Sequence, residues 1–416
     1  MSQTTERGPT LLDRGDERLK DQSGLLGSVK AFFDRVRAGD LGSLPVVVGL
    51  IVIWTIFETL NPVFLSPNNL VNMLFDCSTV GVISLGIVCV LLVGEIDLSV
   101  GSVSGLSSAI LGVLWVQLGW PVALAILAAL AVGFLIGCIY ALLFNRLGMP
   151  SFVSTLSGLL AFLGLQLYIL GPTGSINLPY GSPLVNFGQM LVMPSWVSHA
   201  LAALPGLLTL LFGYRNARRR QAAGLSSRSL SGLAIQAVVT IAVLEAATSY
   251  LNASRGVPWM FGLFVGLVVA MNYAFKRTKW GRSMTAVGGN REAARRAGIN
   301  VHLIYMSAFA LCATFAAAGG ILAAARLASS SQQAGTGDVN LNAIASAVIG
   351  GTSLFGGRGS AYSALLGIIV IQSIASGLTL LDLSSSLRYM ITGCVLAVAV
   401  IVDSLARRSR VSHGRA

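Results

Sequence analysis

Charged residues are scarce in this chain: Asp, Glu, Lys and Arg make up only 11% of its 416 residues. An ordinary soluble domain has about a quarter. Hydrophobic residues make up 54%, the mean hydropathy is +0.77, and the apolar runs follow one another with few polar breaks. This composition argues against a soluble protein of two or three domains. It predicts an all-α, polytopic integral membrane protein.

Cysteine and histidine are few and scattered. The five cysteines lie alone in or beside apolar runs, without a Cys-x-x-Cys pair, and the three histidines are far apart. We therefore expect neither a disulfide framework nor a metal site. No lysine follows a glycine, so the chain has no Walker A loop and is not expected to hydrolyse ATP. His-Glu-x-x-His and Gly-x-Ser-x-Gly are also absent, so we do not expect an enzyme.

The two ends of the chain are its most polar parts. Residues 1–44 hold seven basic and seven acidic side chains and no apolar run, which is not typical of a cleaved signal peptide. We predict a cytosolic tail there. Within it, residues 24–39 place apolar side chains at helical spacing with charges opposite, which predicts an interfacial helix on membrane lipid. Residues 406–416 are predicted as a second, basic cytosolic tail.

Eleven apolar runs are long enough to cross a bilayer as helices, which takes about 17 to 25 residues. They lie near residues 45–61, 75–94, 99–118, 121–144, 151–171, 196–214, 232–251, 258–275, 303–325, 361–380 and 387–403. A further run, 344–360, is apolar but cut by glycine pairs, which predicts a broken or short span. The membrane domain predicted for 45–405 therefore has about 12 transmembrane helices.

Basic residues are divided unevenly between the two sides of these spans. With the first tail in the cytosol, 25 of the 28 Lys and Arg residues fall on the cytosolic side, and only Arg255, Arg326 and Arg388 on the other. The positive-inside rule predicts such a division, so both termini are expected in the cytosol. The net charge of +12 is thereby accounted for without nucleic acid. The largest basic cytosolic loops are predicted at 213–231 and 276–300.

A short helix is predicted inside the loop 276–300. Asn290 is suited to be the N-cap of a helix that starts at Arg291, and Gly298 is suited to be its C-cap. A short helix bounded by glycine and parallel to the membrane is suited to docking a partner. A solvated basic connector is the alternative that this pattern leaves open.

Two carboxylates, Glu95 and Asp97, interrupt the apolar sequence LLVGEIDLSVGSVSGLSS at 91–108. A carboxylate at mid-bilayer costs about 2.5–3.5 kcal/mol on insertion scales, so such acids usually face a bundle interior or water. We predict that the helix breaks near these acids, toward the cytosolic side, and that Asp97 or Ser99 caps a new helix beginning near Leu98.

The sequence allows two interpretations of the role of Glu95. It is either solvated at an interfacial turn or it lines a transport path, since transporters often line their paths with broken helices. The other acids in or near spans, Glu58, Asp76 and Glu245, lie near predicted span ends and are expected at the interface. No chain of intramembrane acids and histidines of the kind a proton-coupled pump uses is predicted.

At these segments the chain resembles the membrane permease subunits of bacterial ABC sugar importers, in the ribose, xylose and galactoside branch. Four segments carry the resemblance in the same order: EIDLSVGS at 95–102, PSFVSTLSGLLAFLG at 150–164, AVGGNREAARRAGINV at 286–301 and AIASAVIGGTSLFGGRGS at 343–360. Glu95, where many relatives have glycine, and the insertion at 213–229 resemble the xylose type.

The resemblance implies import of a monosaccharide, xylose or a related sugar, through a multi-pass protein of the bacterial inner membrane. It implies three protein partners: an ABC-type ATPase subunit, an extracytoplasmic sugar-binding protein and a second permease copy in a homodimer. ATP and Mg would be used by the ATPase, and this chain would bind no cofactor.

Three sets of site residues follow from the resemblance. The candidates for the ATPase-coupling loop are Gly288, Gly289, Asn290, Glu292, Ala293 and Gly298. The candidates for a gating or lining motif are Glu95, Asp97, Ser99, Gly101 and Ser102. Candidates for the sugar path are amide and hydroxyl residues of the spans, each of which could instead satisfy neighbouring backbone: Gln166, Asn342, Ser346, Thr352, Ser353 and Gln372.

The leading alternative is a secondary transporter that uses an ion gradient to move a small polar solute. The missing charge relay weakens it, but the spans alone do not exclude it. A polytopic membrane enzyme comes third, because no catalytic constellation is found.

Overall fold

A computed structural model describes residues 44–225, 230–384 and 386–394, together with positions 397 and 401. Several predictions fall outside the described residues: the tail 1–44 except its last residue, the interfacial helix at 24–39, and the tail 406–416. Part of the basic loop 213–231 and much of the last predicted span also lie outside them.

The described chain is almost entirely helical. In order, its elements are α1 (Leu44–Leu60), α2 (Pro67–Leu92), α3 (Val100–Gly112) with a π turn (Val113–Gln117), α4 (Val122–Leu147), α5 (Ser151–Leu170), β1 (Ser175–Asn177), α6 (Pro183–Gln189), α7 (Ser195–Ala222), α8 (Leu230–Asn252), α9 (Trp259–Arg277), α10 (Lys279–Gly289), α11 (Arg291–Arg296), α12 (Val301–Leu327), β2 (Ser329–Ser331), α13 (Val339–Ile349) and α14 (Ala361–Leu380). A 3-10 turn follows α5 at Gly171–Thr173, and residues 386–394 are helical.

Nine helices within the described residues are long and apolar enough to cross a membrane, while α1 and α13 are shorter apolar helices. The all-α, polytopic class is therefore confirmed. The predicted broken span is also found, because α13 ends at Ile349 and 350–360 is irregular. One predicted boundary is wrong: α2 begins at Pro67, before 75, because the Ser66 hydroxyl accepts a bond from the Asn69 amide and proline occupies the first turn.

This longer α2 changes the position of Asp76, which the sequence placed near a span end. Asp76 lies in the interior of the helix, and its Oδ1 is 2.8 Å from Nε of Arg326 on α12. The Arg326 guanidinium also lies 5.1 Å from the centre of the Phe75 ring. Asp76 is thus an ion-paired residue between two helices, and it does not lie at the end of α2.

The chain divides into two compact units: Met1–Leu41 with Met193–Gly256, and Gly42–Val192 with Val257–Ala416. The described part of the first is a hairpin of α7 and α8. Gly206 lets the two helices approach, since a Cβ there would lie 2.4 Å from Ile241 Cγ1. His199 Nδ1 lies 2.5 Å from Glu245 Oε2, so this acid too has a specific partner.

In the second unit, α12 is central and packs against α2, α3 and α4. Small residues make the approach of these helices close. A Cβ on Gly320 would lie 1.9 Å from the Ser104 carbonyl oxygen, and one on Gly137 would lie 2.3 Å from that of Phe309. Such backbone proximity is typical of membrane helix bundles, where van der Waals packing replaces the hydrophobic driving force.

Candidate functional site

Three glycine-containing segments that are far apart in the sequence meet at one end of α2. Gly357 N donates to the Leu92 carbonyl across 3.0 Å. A Cβ on Gly288 would lie 1.8 Å from Leu92 O, and one on Gly356 would lie 2.6 Å from Gly288 O and 2.8 Å from Gly94 Cα. We call Gly94, Gly288, Gly356 and Gly357 the glycine junction. Two of the four segments that carried the family resemblance, 286–301 and 343–360, therefore touch here through their backbones, next to the start of a third at Glu95.

Backbone shape also requires glycine at this junction. Gly94, Gly356 and Gly357 have φ values of +83°, +82° and +73°, a region that other L-residues rarely adopt. Gly288 is helical, so there the requirement is space alone. Gly289 differs from its neighbour, because a Cβ on it would meet nothing within 4 Å.

The fourth segment joins through Glu95. The Ser151 hydroxyl, at the start of α5, donates to Glu95 Oε2 across 2.5 Å. Glu95 lies in the connection 93–99, outside the spanning helices, and is half-buried. Burial raises the pKa of this carboxyl, while the Ser151 hydrogen bond and the charge of Arg291 act to lower it. The carboxylate of Glu95 therefore has a protein partner, although the residue is still partly exposed.

The helix α11 forms as the sequence predicted. Asn290 Oδ1 accepts from Ala293 N across 2.9 Å, and Gly298, at φ +82°, donates its N–H to the Arg295 carbonyl. Glu292 pairs with Arg295 at 2.8 Å and is exposed, whereas Ala294 is the buried residue of this helix. The helix thus presents charged side chains outward and one small side chain inward.

Arg291 connects this helix to the spans, and the sequence did not single it out. Its guanidinium carbon lies 5.5 Å from the ring centre of Phe144 on α4 and 5.3 Å from that of Tyr305 on α12. The two rings are themselves 4.6 Å apart. A cation over two aromatic faces is attracted by both ring quadrupoles. The sequence contains one indication of this contact. Arg291 directly follows the N-cap, and the side chain of the first helical residue points back toward the preceding loop.

Asp97 occupies a different position from Glu95. Its side chain is completely buried, and its Oδ1 accepts from both the N–H and the hydroxyl of Ser99, at 2.8 and 2.7 Å. This Asx turn delays the helix, so α3 begins at Val100 and not near Leu98. Asp97 therefore shapes the entry to α3 from a position that is buried in protein.

The depth of Asp97 follows from its neighbours. Cys312, which interacts with its carboxylate, is 11 residues into α12. At 1.5 Å per residue, that places Cys312 about 17 Å from the start of the helix. Beyond Gly101, α3 and its π turn continue for about 24 Å to Gln117. A buried carboxylate thus stands deep between two membrane-length helices.

The remaining lining candidates hold the start of α3 in place. Gly101 N donates to Asn340 Oδ1 across 2.8 Å, and Asn340 Nδ2 donates to the Leu98 carbonyl. The Ser102 hydroxyl donates to the Ser99 carbonyl across 2.9 Å. Asn340, at the start of α13, was missed by the sequence because its partners lie more than 200 residues away.

The six sugar-path candidates are placed in two groups. Gln166 lies apart from the others on α5, completely buried, and its Nε2 donates to the carbonyls of Ser331 and Ala334, at 3.0 Å each. The other five lie on or after α13 and on α14. Among them Ser346 donates to the Asn342 carbonyl across 2.6 Å, and Ser353 N donates to the Arg358 carbonyl. The side chains of Gln166 and Ser346 thus hydrogen-bond to backbone carbonyls, which is the alternative role that the sequence left open for these residues.

No group of three or more His, Cys, Asp or Glu side chains suited to hold a metal occurs in the part of the chain that the structure describes. The contacts observed at the site are those of backbone packing, hydrogen bonds and ion pairs. Rigid backbone contacts join an exposed, charged helix to the ends of several long helices.

Comparison with known proteins identifies this arrangement. Residues 69–400 match the family described as branched-chain amino acid transport system, permease component. The xylose transport system permease protein XylH of Escherichia coli (strain K12) is 33% identical over 377 residues, which cover 90% of this chain and 95% of that protein. XylH of Haemophilus influenzae is 32% identical over 346 residues, covering 82% and 90%.

The ribose import permease protein RbsC of Escherichia coli (strain K12) is 30% identical over 363 residues, covering 86% of this chain and 92% of that protein. No solved structure matches the chain. The family model covers most of the membrane domain and all four segments described above. The chain therefore belongs to this family of transport-system permease components, as a multi-pass membrane permease of the ABC type that is not itself an enzyme.

Proposed function

We propose that the chain forms the pore through which an ATP-driven importer moves a pentose, and that its cargo is xylose. The observation that carries the proposal is the glycine junction, which couples the exposed helix α11 to the connection bearing Glu95. The choice of xylose rests on the likeness to XylH along nearly the whole length of both chains. Ribose, the substrate named for RbsC, is the second candidate.

A permease of this family works with an ATPase and a substrate-binding protein. We place the ATPase on α11, whose outward side chains Glu292, Arg295 and Arg296 are exposed. We place both chain termini on that side, in the cytosol, because it carries most of the basic residues. ATP and Mg would be held by the ATPase. Two copies of this chain would enclose the path.

The mechanism follows from the contacts around α11. When ATP draws the two ATPase domains together, the helices α11 move with them. Because Arg291 lies against Phe144 and Tyr305, this movement reaches α4 and α12 directly. Because Gly288 touches Leu92 and Gly356 without intervening side chains, it also reaches the end of α2 and the irregular stretch after α13. A rigid-body shift of this kind switches access from one side of the membrane to the other.

Reconstitution tests the proposal. The chain is purified with the ATPase and the sugar-binding protein of its own transport system, placed in liposomes, and supplied with ATP inside and with labelled D-xylose or D-ribose outside. We expect uptake that needs ATP and the binding protein and that survives ionophores. Uptake driven by an ion gradient without ATP would support the secondary transporter instead. Uptake of ribose in preference to xylose would reject the proposed cargo but retain the importer.

A further inference from the structure

A non-helical stretch, residues 329–338, connects α12 to α13 and lies against α3; we call it the inner segment. The Ser330 hydroxyl donates to the Ser108 carbonyl across 2.6 Å. Farther along, a Cβ on Gly105 would lie 2.2 Å from Ala334 O, and one on Gly101 would lie 2.4 Å from Gly335 O. The inner segment therefore follows α3 from Ser108 to its first turn, which is the deep position described above for Asp97.

One side of the inner segment is fixed by the protein. Gln166 Nε2 donates to the Ser331 and Ala334 carbonyls, and Gly335 adopts φ +73° where it faces Gly101. Non-helical backbone at membrane depth is tolerated only where it is buried in protein or lines a water-filled cavity. The contacts with Gln166 and α3 account for the buried side.

The inner segment also carries two adjacent amides, Gln332 and Gln333, of which the Gln332 side chain lies beside Gly174 in the turn after α5. Both residues are exposed, and neither side chain hydrogen-bonds to the described part of the chain. Exposing two amides to hydrocarbon is costly, because neither their donors nor their acceptors are satisfied there. Their surroundings must therefore be aqueous or polar.

We propose that Gln332 and Gln333 line the translocation path and hydrogen-bond the hydroxyl groups of the sugar in transit; this inference rests on the proposed function. An amide both donates and accepts, as a hydroxyl does, so the pair suits a neutral polyol. The one ionisable side chain of the inner segment, Asp338, already accepts a bond from Asn342 Nδ2 at 2.9 Å. The amide pair thus offers weak, uncharged contacts from which a sugar leaves readily.

Thiol labelling tests whether the side chain at position 333 faces water. Gln333→Cys is made in the assembled transporter in liposomes, with Cys138 and Cys394 replaced by serine because the other native cysteines are buried. Leu160→Cys, on an exposed apolar face of α5, is the lipid-facing control, and Gln117→Cys, at the exposed end of the α3 span, is the aqueous control. A membrane-impermeant thiol reagent is applied, because the reacting thiolate forms in water and not in lipid.

We expect the cysteine at 333 to react about ten times faster than the one at 160. Excess D-xylose should slow labelling at 333 and leave 117 unchanged. Labelling of 333 at the rate of 160 would overturn its place in the path. Labelling that neither D-xylose nor D-ribose slows would overturn the sugar contact. The labelling measurements do not require ATP. Their failure can therefore be distinguished from a failure of the proposed ATP-driven import.

Uptake assays test the proposed contact between the two amides and the sugar. Gln332→Ala and Gln333→Ala should each lower the maximal uptake rate by about two- to tenfold, the effect of one lost neutral hydrogen bond. Gln117→Ala should leave the rate unchanged. Stimulation of ATP hydrolysis by the sugar-loaded binding protein should persist in all three variants. If stimulation is lost together with uptake, the amides dock the binding protein and the proposal is overturned; it is also overturned if both single variants transport normally.

Discussion

The Ser151 hydroxyl donates to Glu95 Oε2 across 2.5 Å, which joins the start of α5 to the connection between α2 and α3. Arg291, the first residue of α11, is close enough to Glu95 to act on its charge. One carboxylate thus links a spanning helix to the helix that we assign to the ATPase. A glycine in place of Glu95 would leave the Ser151 hydroxyl without this acceptor.

Gly288 and Gly289 give the sharpest test of the glycine junction. Gly288→Ala should abolish uptake and lower the melting temperature of the purified protein, because its Cβ would lie 1.8 Å from the Leu92 carbonyl. Such overpacking costs about 1–3 kcal/mol or more. Gly289→Ala is the matched control, since its Cβ would have open space. Equal behaviour of the two variants would show that the junction does not constrain the protein.

Arg291→Ala should impair transmission while the protein still folds. Loss of the contacts with Phe144 and Tyr305 removes about 0.5–2 kcal/mol, so we expect uptake and sugar-stimulated ATP hydrolysis to fall by about two- to thirtyfold. Arg295→Ala, on the same helix, should have a smaller effect, because Arg295 pairs only with the exposed Glu292 among the described contacts. The measurement is the ATPase rate of the reconstituted complex. A larger loss in the Arg295 variant would contradict the assignment.

Glu292→Lys should uncouple transport without preventing insertion. The change places a third positive charge beside Arg295 and Arg296, on the face that we assign to the ATPase. We expect the ATPase to be lost from the complex after affinity purification in mild detergent, with the permease at its usual level in the membrane. Glu292→Gln, which keeps the size of the side chain, should retain part of the binding. Normal ATPase recovery with Glu292→Lys would remove the docking assignment.

Asp97→Ala should lower stability, because two buried donors of Ser99 would lose their acceptor. Each unsatisfied group costs about 1–3 kcal/mol, so a clear fall in melting temperature in detergent is expected. Ser107→Ala is the control, because the Ser107 hydroxyl is buried without a hydrogen-bond partner. If the Asp97 variant melts normally but transports nothing, a direct role in the path would replace the role in shaping α3.

Local features were predictable because their partners lie within one helical turn. Asn290 caps α11 through Ala293, three residues on, and the asparagine and glycine that bound this helix identify it without tertiary contacts. The long apolar runs likewise gave the spans. Asp76 was misplaced because the polar start of α2 has little hydropathy, so the length of that helix depends on the Ser66 cap.

The sequence alone determined that this is a helical membrane protein with a capped short helix at Arg291–Arg296 and a break at Glu95 and Asp97, since hydropathy, caps and glycine act over short distances. Only the tertiary structure decided which parts meet. The glycine junction brings Leu92 and Gly94 against Gly288 and Gly356, which lie well over one hundred positions away. Arg291 stacks on Phe144, and Gln166 supports the inner segment, across comparable separations. The physical reason is that many arrangements of apolar helices are equally compatible with the lipid. Close backbone packing then decides which helices are neighbours.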